Sequence, residues 1–500
     1  MNMPAPTAEA YPRRWAALAI LLLAAFMNLV DLSIVNVALP SMQRNMDATS
    51  AQIEWVAAAY VMAFALGLLP FGRLGDRIGR KRMFLLGVGG FTLFSMLYGV
   101  APTMTTLIAA RALQGLAGAM MIPQVLALAQ IMFPPEERAL AFSLFGLSAG
   151  LASVTGPLAG GLLIDANLFG LDWRPIFLVN LPIGLLAILA AAMVVPATGA
   201  NRDLRNDWGG MLIAGLSVFL LIFPLIEGHS YGWPGWAFVM IAAAIAGFAL
   251  FFVYERWRAR QNASELLPVA LLGNTNFLLG SMMTIVFFSG VSGFFLVLAI
   301  FLQSGFGFTP LQSGLTTTPF PAGVLIASVI SGRLGLRWSR QRIALGALCL
   351  AAGMLILRVI VGGTGDAVDH WDLFVPLILC GFGMGVGISP MFQTVLSGVP
   401  PRDAGSGSGA LQSFQQIGSA VGIAITGQIF FSTLTARIAA GSAKHPAYVV
   451  GFEGALLYEV LAFLAVAGLV LLLKAPPAGA HSGRGGARPQ PQEQAVAAEI

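Results

Sequence analysis

Charge is what this 500-residue chain has least of: 10% of its residues are Asp, Glu, Lys or Arg, where a soluble domain carries roughly 25%. With 57% hydrophobic residues and a mean hydropathy of +0.82, it is not built to fold in water. Cysteine is nearly absent. Cys349 and Cys380 each lie inside an apolar run, which excludes a disulfide framework and a thiolate metal pair and leaves apolar packing as their role. The histidines, His229, His370, His445 and His481, fall between apolar runs or in the tail without ligand spacing, so no metal and no cofactor is expected. The lysines are Lys81, Lys444 and Lys474, and no G-x-x-x-x-G-K-[ST] loop occurs, so ATP-driven work by this chain alone is unsupported. The net charge of +5 raises a nucleic-acid partner, but the placement of the basic residues between apolar runs argues against one.

What the chain has instead is long apolar runs. A membrane span needs about 20 apolar residues at 1.5 Å rise, and on that rule about fourteen are expected. The first six cover residues 15–38, 54–72, 83–101, 105–131, 140–164 and 175–195. A pair follows at 209–227 and 235–255, and the last six are 277–302, 312–332, 343–361, 373–397, 408–431 and 453–473. The fold class is therefore all-α integral membrane, with the lipid bilayer as partner. The first run is too long for a signal peptide, carries Asp31 and is followed by further spans, so it is expected to be retained. One enzyme pattern occurs, the G-x-S-x-G of residues 146–150, but that nucleophile elbow needs a strand-to-helix turn. Here it lies within a span, and no enzyme activity is expected.

Charge also sorts the loops. Counting alternate loops from the N-terminus, one side collects 21 of the 27 basic residues, among them Arg13, Arg14, Arg73 to Arg82, Arg256, Arg258, Arg260, Arg340 and Arg342. Cytoplasmic loops are enriched in Lys and Arg, so both termini are expected in the cytoplasm and the chain in the cell (inner or plasma) membrane. All nine tryptophans fall at expected span ends, where amphipathic rings prefer to sit. The tail beyond Lys474, rich in Pro, Gly, Ala and Gln, reads as disordered.

A repeat organises the rest. Residues 72–82 read G-R-L-G-D-R-I-G-R-K-R, and residues 332–342 read G-R-L-G-L-R-W-S-R-Q-R, seven identities in eleven positions. Eight spans lie between the two, an even number, which preserves orientation. Two parallel six-span halves with an inserted pair account for this, a recurring transporter plan with substrate at the interface near the midplane. The expected division is a cytoplasmic N-terminus (1–14), an N-terminal six-helix bundle (15–200), an inserted hairpin (201–260), a C-terminal six-helix bundle (261–474) and a cytoplasmic tail (475–500).

Three further stretches carry a resemblance. Together with the turn at residues 72–82, the run L-I-A-A-R-A-L-Q-G-L-A-G-A in span four is similar to motifs of the major facilitator superfamily. G-L-A-S-V-T-G-P-L-A-G-G in span five resembles the antiporter signature of that family. L-V-D-L-S-I-V-N-V-A-L-P in span one resembles the element of its fourteen-span drug:proton antiporter branch. The resemblance implies the major-facilitator fold, proton-coupled export of small molecules, and a role for the turn of Gly72, Asp76, Arg77, Gly79 and Arg80 in stabilising one conformation through contacts between helices.

The residues support that reading on their own terms. Asp31 is an acid within an apolar run, and an ionisable group at a helix centre costs roughly 2.5–3.5 kcal/mol even on lenient scales, which makes it a functional candidate. Arg111 falls at a depth differing by roughly 6 Å, so a direct or water-bridged pair is expected, either as the proton-coupling site or as a static lock between two helices. Arg111, Gln114, Gly115 and Gly118 share one helix face. In span five, Gly146, Gly150, Ser153, Pro157 and Gly160 form a smooth stripe on which another helix can pack and slide, with Gly156 beside it and a kink at Pro157. Gln412, Gln415 and Gln416 in span thirteen suit either a polyspecific cavity or bonds to neighbouring helices. Asn36, Tyr60, Asn180, Phe288, Phe295 and Gln303 are further cavity candidates, with packing as the competing role for each. Glu459 is a second membrane acid, expected near the outer end of the last span within reach of water.

The expected function is secondary transport by alternating access: proton-coupled efflux of hydrophobic or cationic drugs or similar small molecules. The partners would be a small-molecule substrate and protons, with a periplasmic adaptor protein as a further candidate. Three alternatives are an exporter of one specific metabolite such as an antibiotic or siderophore, an uptake symporter, and a membrane sensor that does not transport.

Overall fold

In a bilayer no water is available to satisfy exposed backbone groups, so long apolar runs must close their hydrogen bonds internally. The computed structural model obeys this: among the described residues there are helices and turns and no strand. Described are residues 11–198, 207–228, 231–261, 265–334, 338–363, 368–397, 399–400 and 403–473. The expected tail, the termini and residues 335–337 of the second basic turn lie outside them.

The helices are α1 (Arg14–Asn45), α2 (Ser50–Ile78), α3 (Arg80–Gly99), α4 (Met104–Met132), α5 (Pro135–Asp165), α6 (Pro175–Leu178), α7 (Asn180–Val194), α8 (Trp208–Glu227), α9 (Gly235–Arg260), α10 (Val269–Leu272), α11 (Thr275–Ile300), α12 (Pro310–Thr317), α13 (Pro319–Leu334), α14 (Ser339–Gly363), α15 (His370–Leu396), α16 (Ala404–Ala439) and α17 (Lys444–Leu471). Several starts are written locally. Thr49 with Gln52, Thr103 with Thr106 and Thr309 with Gln312 form reciprocal capping boxes before α2, α4 and α12, each satisfying two otherwise open N–H groups. α2 stops at Gly79, whose φ of +102° turns the chain directly into α3.

Thirteen helices of the described residues are long and apolar enough to cross a membrane. The run expected at 312–332 is instead divided between α12 and α13, where Pro319 follows Thr318 and supplies no backbone N–H to continue the ladder. Large apolar side chains such as Leu186, Met193, Leu212, Val239 and Val359 point outward, as lipid-facing positions should. Trp173 departs from the expected belt. It is fully buried, edge-on to Tyr98 and Phe177, because the 165–175 connection folds back against α3 rather than lying in the interface.

Helices α1 to α7 pack chiefly on one another, α2 and α3 on α4, α1 on α5 and α3 on α7; α11 to α17 do the same, α14 on α15 and α17 and α11 on α16 and α17. The two groups meet along α2 and α16 and along α5, α13 and α15. The α8–α9 hairpin pairs with itself and leans, through α8, on α2 and α16. Close crossings need glycine: a Cβ on Gly115 would lie 2.4 Å from the Tyr60 carbonyl oxygen, so α4 and α2 approach there backbone to backbone.

Candidate functional site

Asp31 on α1 and Arg111 on α4 meet directly. Each is 1% exposed, and Arg111 Nη1 donates to Asp31 Oδ2. The other carboxylate oxygen accepts from Gln114 Nε2 at 3.1 Å and from Asn180 Nδ2 at 3.1 Å. Asn180, the first residue of α7, also donates to Ser95 Oγ of α3 at 3.0 Å. Arg111 Nη1 donates in addition to Gln114 Oε1 at 2.8 Å, and the guanidinium sits 4.2 Å above the Tyr60 ring and 5.7 Å from that of Tyr98. The Tyr60 hydroxyl in turn accepts from Asn28 Nδ2.

Helices α4 and α7 thus supply the donors to one carboxylate on α1, and α2 and α3 join the network through Tyr60 and Ser95. A buried carboxylate is tolerable only with a cation and further donors, and Asp31 has one of the first and two of the second. The spacing of Arg111 and Gln114, three residues apart on α4, delivers both to the same acid. Three of the cavity candidates, Tyr60, Gln114 and Asn180, are therefore engaged by the ion pair rather than facing open space. Asn28, Ser95 and Tyr98 escaped the sequence reading, since an isolated polar residue in an apolar run carries no spacing signal.

A second constellation lies at the face carrying the 72–82 turn, here the basic face. Asp76, 4% exposed, accepts from Arg80 Nη2 at 2.6 Å and Nε at 2.9 Å within its own group of helices. Across the seam it accepts from the backbone N–H of Gly405 at 2.8 Å, from that of Ser406 at 2.8 Å, and from Ser406 Oγ at 3.1 Å. Asp76 thus caps the N-terminus of α16, where unpaired N–H groups and the helix dipole favour an anion. Beside it Arg73 Nη1 pairs with Asp403 Oδ1 at 2.8 Å, both nearly buried, and Gln130 Nε2 donates to the Leu396 carbonyl at 3.0 Å. Gly72 permits the crossing: a Cβ there would lie 2.4 Å from the Gly405 carbonyl oxygen. Arg77 is half-buried in the same turn. The partner stretch D-A-G-S-G-S-G at residues 403–409 was the available signal, an acid and small residues opening a span.

The α5 stripe divides between two neighbours. Gly146 faces Ile388 of α15 and Gly150 faces Pro321 and Val324 of α13, whereas Gly156 presses on Ser33 of α1. Pro157 lies inside α5 and Gly160 is buried; the Ser153 side chain lies outside the described residues. On α16, Gln412 is 2% exposed with no acceptor for its Nε2 among the described residues, and Gln415 and Gln416 are half-buried. Phe288 is buried against Phe287 and Phe392, and Phe295 packs edge-on to Phe320. Gln303 lies exposed in a π turn (Phe301–Gly305), where α11 ends. Asn36 is on α1, its side chain outside the described residues.

A cavity of about 410 Å³ with an almost wholly apolar lining lies between α2, α8, α9 and α16, walled by Leu66, Leu69, Val218, Phe251, Phe414 and Ile417. A second, of about 350 Å³, opens near the start of α15 between Thr316, Pro319 and Trp371. None of the expected cavity residues lines either.

Comparison with known proteins places this architecture. The sequence profile of the Major Facilitator Superfamily matches residues 21–210 and 200–423. The chain is 41% identical, over 86% of its length and 75% of the relative's, to a probable actinorhodin transporter of Streptomyces coelicolor. It is 33% identical to the Multidrug resistance protein Stp of Mycobacterium tuberculosis (83% and 75% covered) and 33% identical to the puromycin resistance protein of Streptomyces alboniger (86% and 84% covered). Among solved structures, the human organic anion transporter MFSD10 aligns with a TM-score of 0.63 at 15% identity, covering 92% of this chain and all of that one. The E. coli fucose:proton symporter aligns at 0.60 and 13%, covering 92% and 98%; at such identities the likeness shows the fold. The chain belongs to the major facilitator superfamily and is a membrane transporter of small molecules.

Proposed function

We propose that the chain exports hydrophobic compounds in exchange for protons by alternating access, with the basic face in the cytoplasm of a cell that carries the chain in its inner or plasma membrane. The observation that carries the coupling is the Asp31–Arg111 pair on α1 and α4, whose carboxylate takes its donors from two separate helices, α4 and α7. A motion that shifts any of them changes the field on the carboxylate. With Arg111 and both amides in place Asp31 holds its charge; with them withdrawn, a buried carboxylate takes up a proton instead. Separation and protonation are thus one event, which is what coupling a gradient to a conformational change requires. A potential of 100 mV supplies about 2.3 kcal/mol per charge, enough for roughly fifty-fold accumulation per proton.

The rocking units would be residues 15–200 and 261–474, joined by the hairpin at 201–260. Asp76 would hold the cytoplasmic side shut, and the Gly146–Gly150 stripe would be the sliding surface. The apolar cavity beside α8 suits a hydrophobic cargo, while Gln412, Gln415 and Gln416 on α16, which do not line it, would supply adaptable polar contacts elsewhere on the cargo's path. The names of the relatives favour a second reading of the substrate, export of one antibiotic-type metabolite, over uptake or sensing.

The test is efflux of a fluorescent hydrophobic cation, and of a panel of antibiotics, from cells stripped of other exporters. A protonophore should abolish export. Asp31→Asn should leave ligand binding and remove gradient-dependent efflux; full efflux from that variant refutes the coupling role. Binding without movement in proteoliposomes refutes transport of that ligand, and export of a single panel member selects the metabolite reading.

A further inference from the structure

Glu459 on α17 takes no part in the reading above. The sequence places it near the outer end of the last span, within reach of water, but it is completely buried, and neither carboxyl oxygen meets a donor among the described residues. Its helix packs on α14, α11 and α16. Along its whole length α11 carries no titratable side chain. From α14 the groups at membrane depth are Cys349 and Arg358, with Arg340 and Arg342 at its first turn. α16 contributes Arg437 in its last turn and Asp403 just before its start. Cys380 of α15 is buried against α14, its Sγ 3.9 Å from the Leu350 carbonyl oxygen. On α17 itself stand Lys444, His445, Tyr448, Glu453 and Tyr458. None of the ion pairs found includes Glu459.

An isolated carboxylate in such surroundings would forgo its hydration with nothing in return, and a group so placed neutralises instead. The contrast with Asp31 is direct. In one conformation, the acid among α1 to α7 has a guanidinium and two amide donors, while the acid among α11 to α17 has none among the described residues. A carboxyl that is merely structural would be expected to donate its hydrogen to an acceptor or to be replaced by an apolar residue at no loss. Next to it, the Tyr458 hydroxyl donates to Ser289 Oγ at 2.9 Å, and about one turn further along α11, Ser292 Oγ lies 2.8 Å from Ser419 Oγ of α16.

We infer that Glu459 binds a proton while the basic face is latched and is a second proton-carrying site, housed in the C-terminal group of helices and separate from Asp31. The inference rests on the proton-coupled reading for its place in the cycle. The step is one proton added to a carboxylate to give the neutral acid, and its reverse in the opposite conformation, with no other bond changed.

Two measurements test it. In infrared difference spectra of the purified protein in nanodiscs, a protonated-carboxyl band should be present in the wild type, retained in Asp31→Asn and lost in Glu459→Gln. Glu459→Asp should shift that band rather than remove it, which guards against misfolding as the cause of its loss. In proteoliposomes, Glu459→Gln should keep transport but lower the limiting substrate ratio by about fifty-fold at 100 mV, the contribution of one proton. A band unchanged in Glu459→Gln, or a limiting ratio equal to wild type, overturns the inference. Wild-type vesicles indifferent to the gradient overturn the proton-coupled reading instead, a result the spectra would not mimic.

Discussion

Replacing Asp76 with Asn should open the basic face. Asp76 is the point at which α2 holds α16, through two backbone N–H groups at 2.8 Å and one hydroxyl at 3.1 Å. Hydrogen bonds to a charged group contribute about 1.5–3 kcal/mol each and neutral ones about 0.5–1.5; placing an anion at a helix N-terminus adds about 0.3–2 kcal/mol. An amide oxygen can keep part of the cap, but its NH2 then faces donors. The Asp76–Arg80 pair lies within one group of helices, so it is present in both conformations and cancels to first order. The net loss to the latched state is then about 2–4 kcal/mol, which moves the equilibrium between conformations by roughly 30- to 900-fold. Spin labels at Ile131 and Ser397, both exposed near the Gln130–Leu396 contact, would read this as a longer distance distribution in Asp76→Asn. Efflux should fall more than for any single change in residues 332–342 at equal protein level. An unchanged distance distribution in a variant with reduced efflux would refute the latch, and equal sensitivity of both turns would reduce the first to a topology signal.

Exchanging the neighbouring charges, Arg73→Asp with Asp403→Arg, should restore the latched distances that either single change lengthens; no rescue would mean that the pair does not act as a unit. Arg111→Gln strands a buried charge, costing about 3–5 kcal/mol, so it should fold poorly. The Asp31→Asn/Arg111→Gln double variant should be recovered at a higher level than Arg111→Gln alone, measured by size-exclusion yield. Gly115→Ala would press a methyl group to 2.4 Å from the Tyr60 carbonyl, an overpacking cost of about 1–3 kcal/mol that a lower midpoint of thermal unfolding in detergent would register. Outside the spans, the hydrogen bond from Arg14 holds the Glu137 carboxyl below its ordinary range. Its stabilisation is therefore complete above the unfolded pKa and is lost as pH falls through the folded one. The stability difference between wild type and Glu137→Gln should shrink on acidification, and a difference that grows would contradict the assignment.

Chain composition alone determined a great deal here. Apolar runs of about twenty residues admit one backbone solution in lipid, so the helices, their order and most of their limits follow from hydropathy and from local caps such as Thr49 with Gln52. The family motifs also lie in that one-dimensional record, and with them the candidacy of Asp31, Arg111 and Asp76. Tertiary structure decided who meets whom. The depth of Asp31 and Arg111 can be estimated by counting residues, but the arrival of Asn180 from α7 depends on helix rotation, which hydropathy leaves free. The Asp76 carboxylate and the α16 N-terminus lie some 330 residues apart, and only the crossing of α2 and α16 at Gly72 and Gly405 unites them. Glu459 makes the same point in reverse: its position along the span suggested water, whereas the packing of α17 on its neighbours took the water away. Sequence sets where a side chain lies along its helix; the neighbours that surround it, and hence whether its charge can survive, are properties of the assembled bundle.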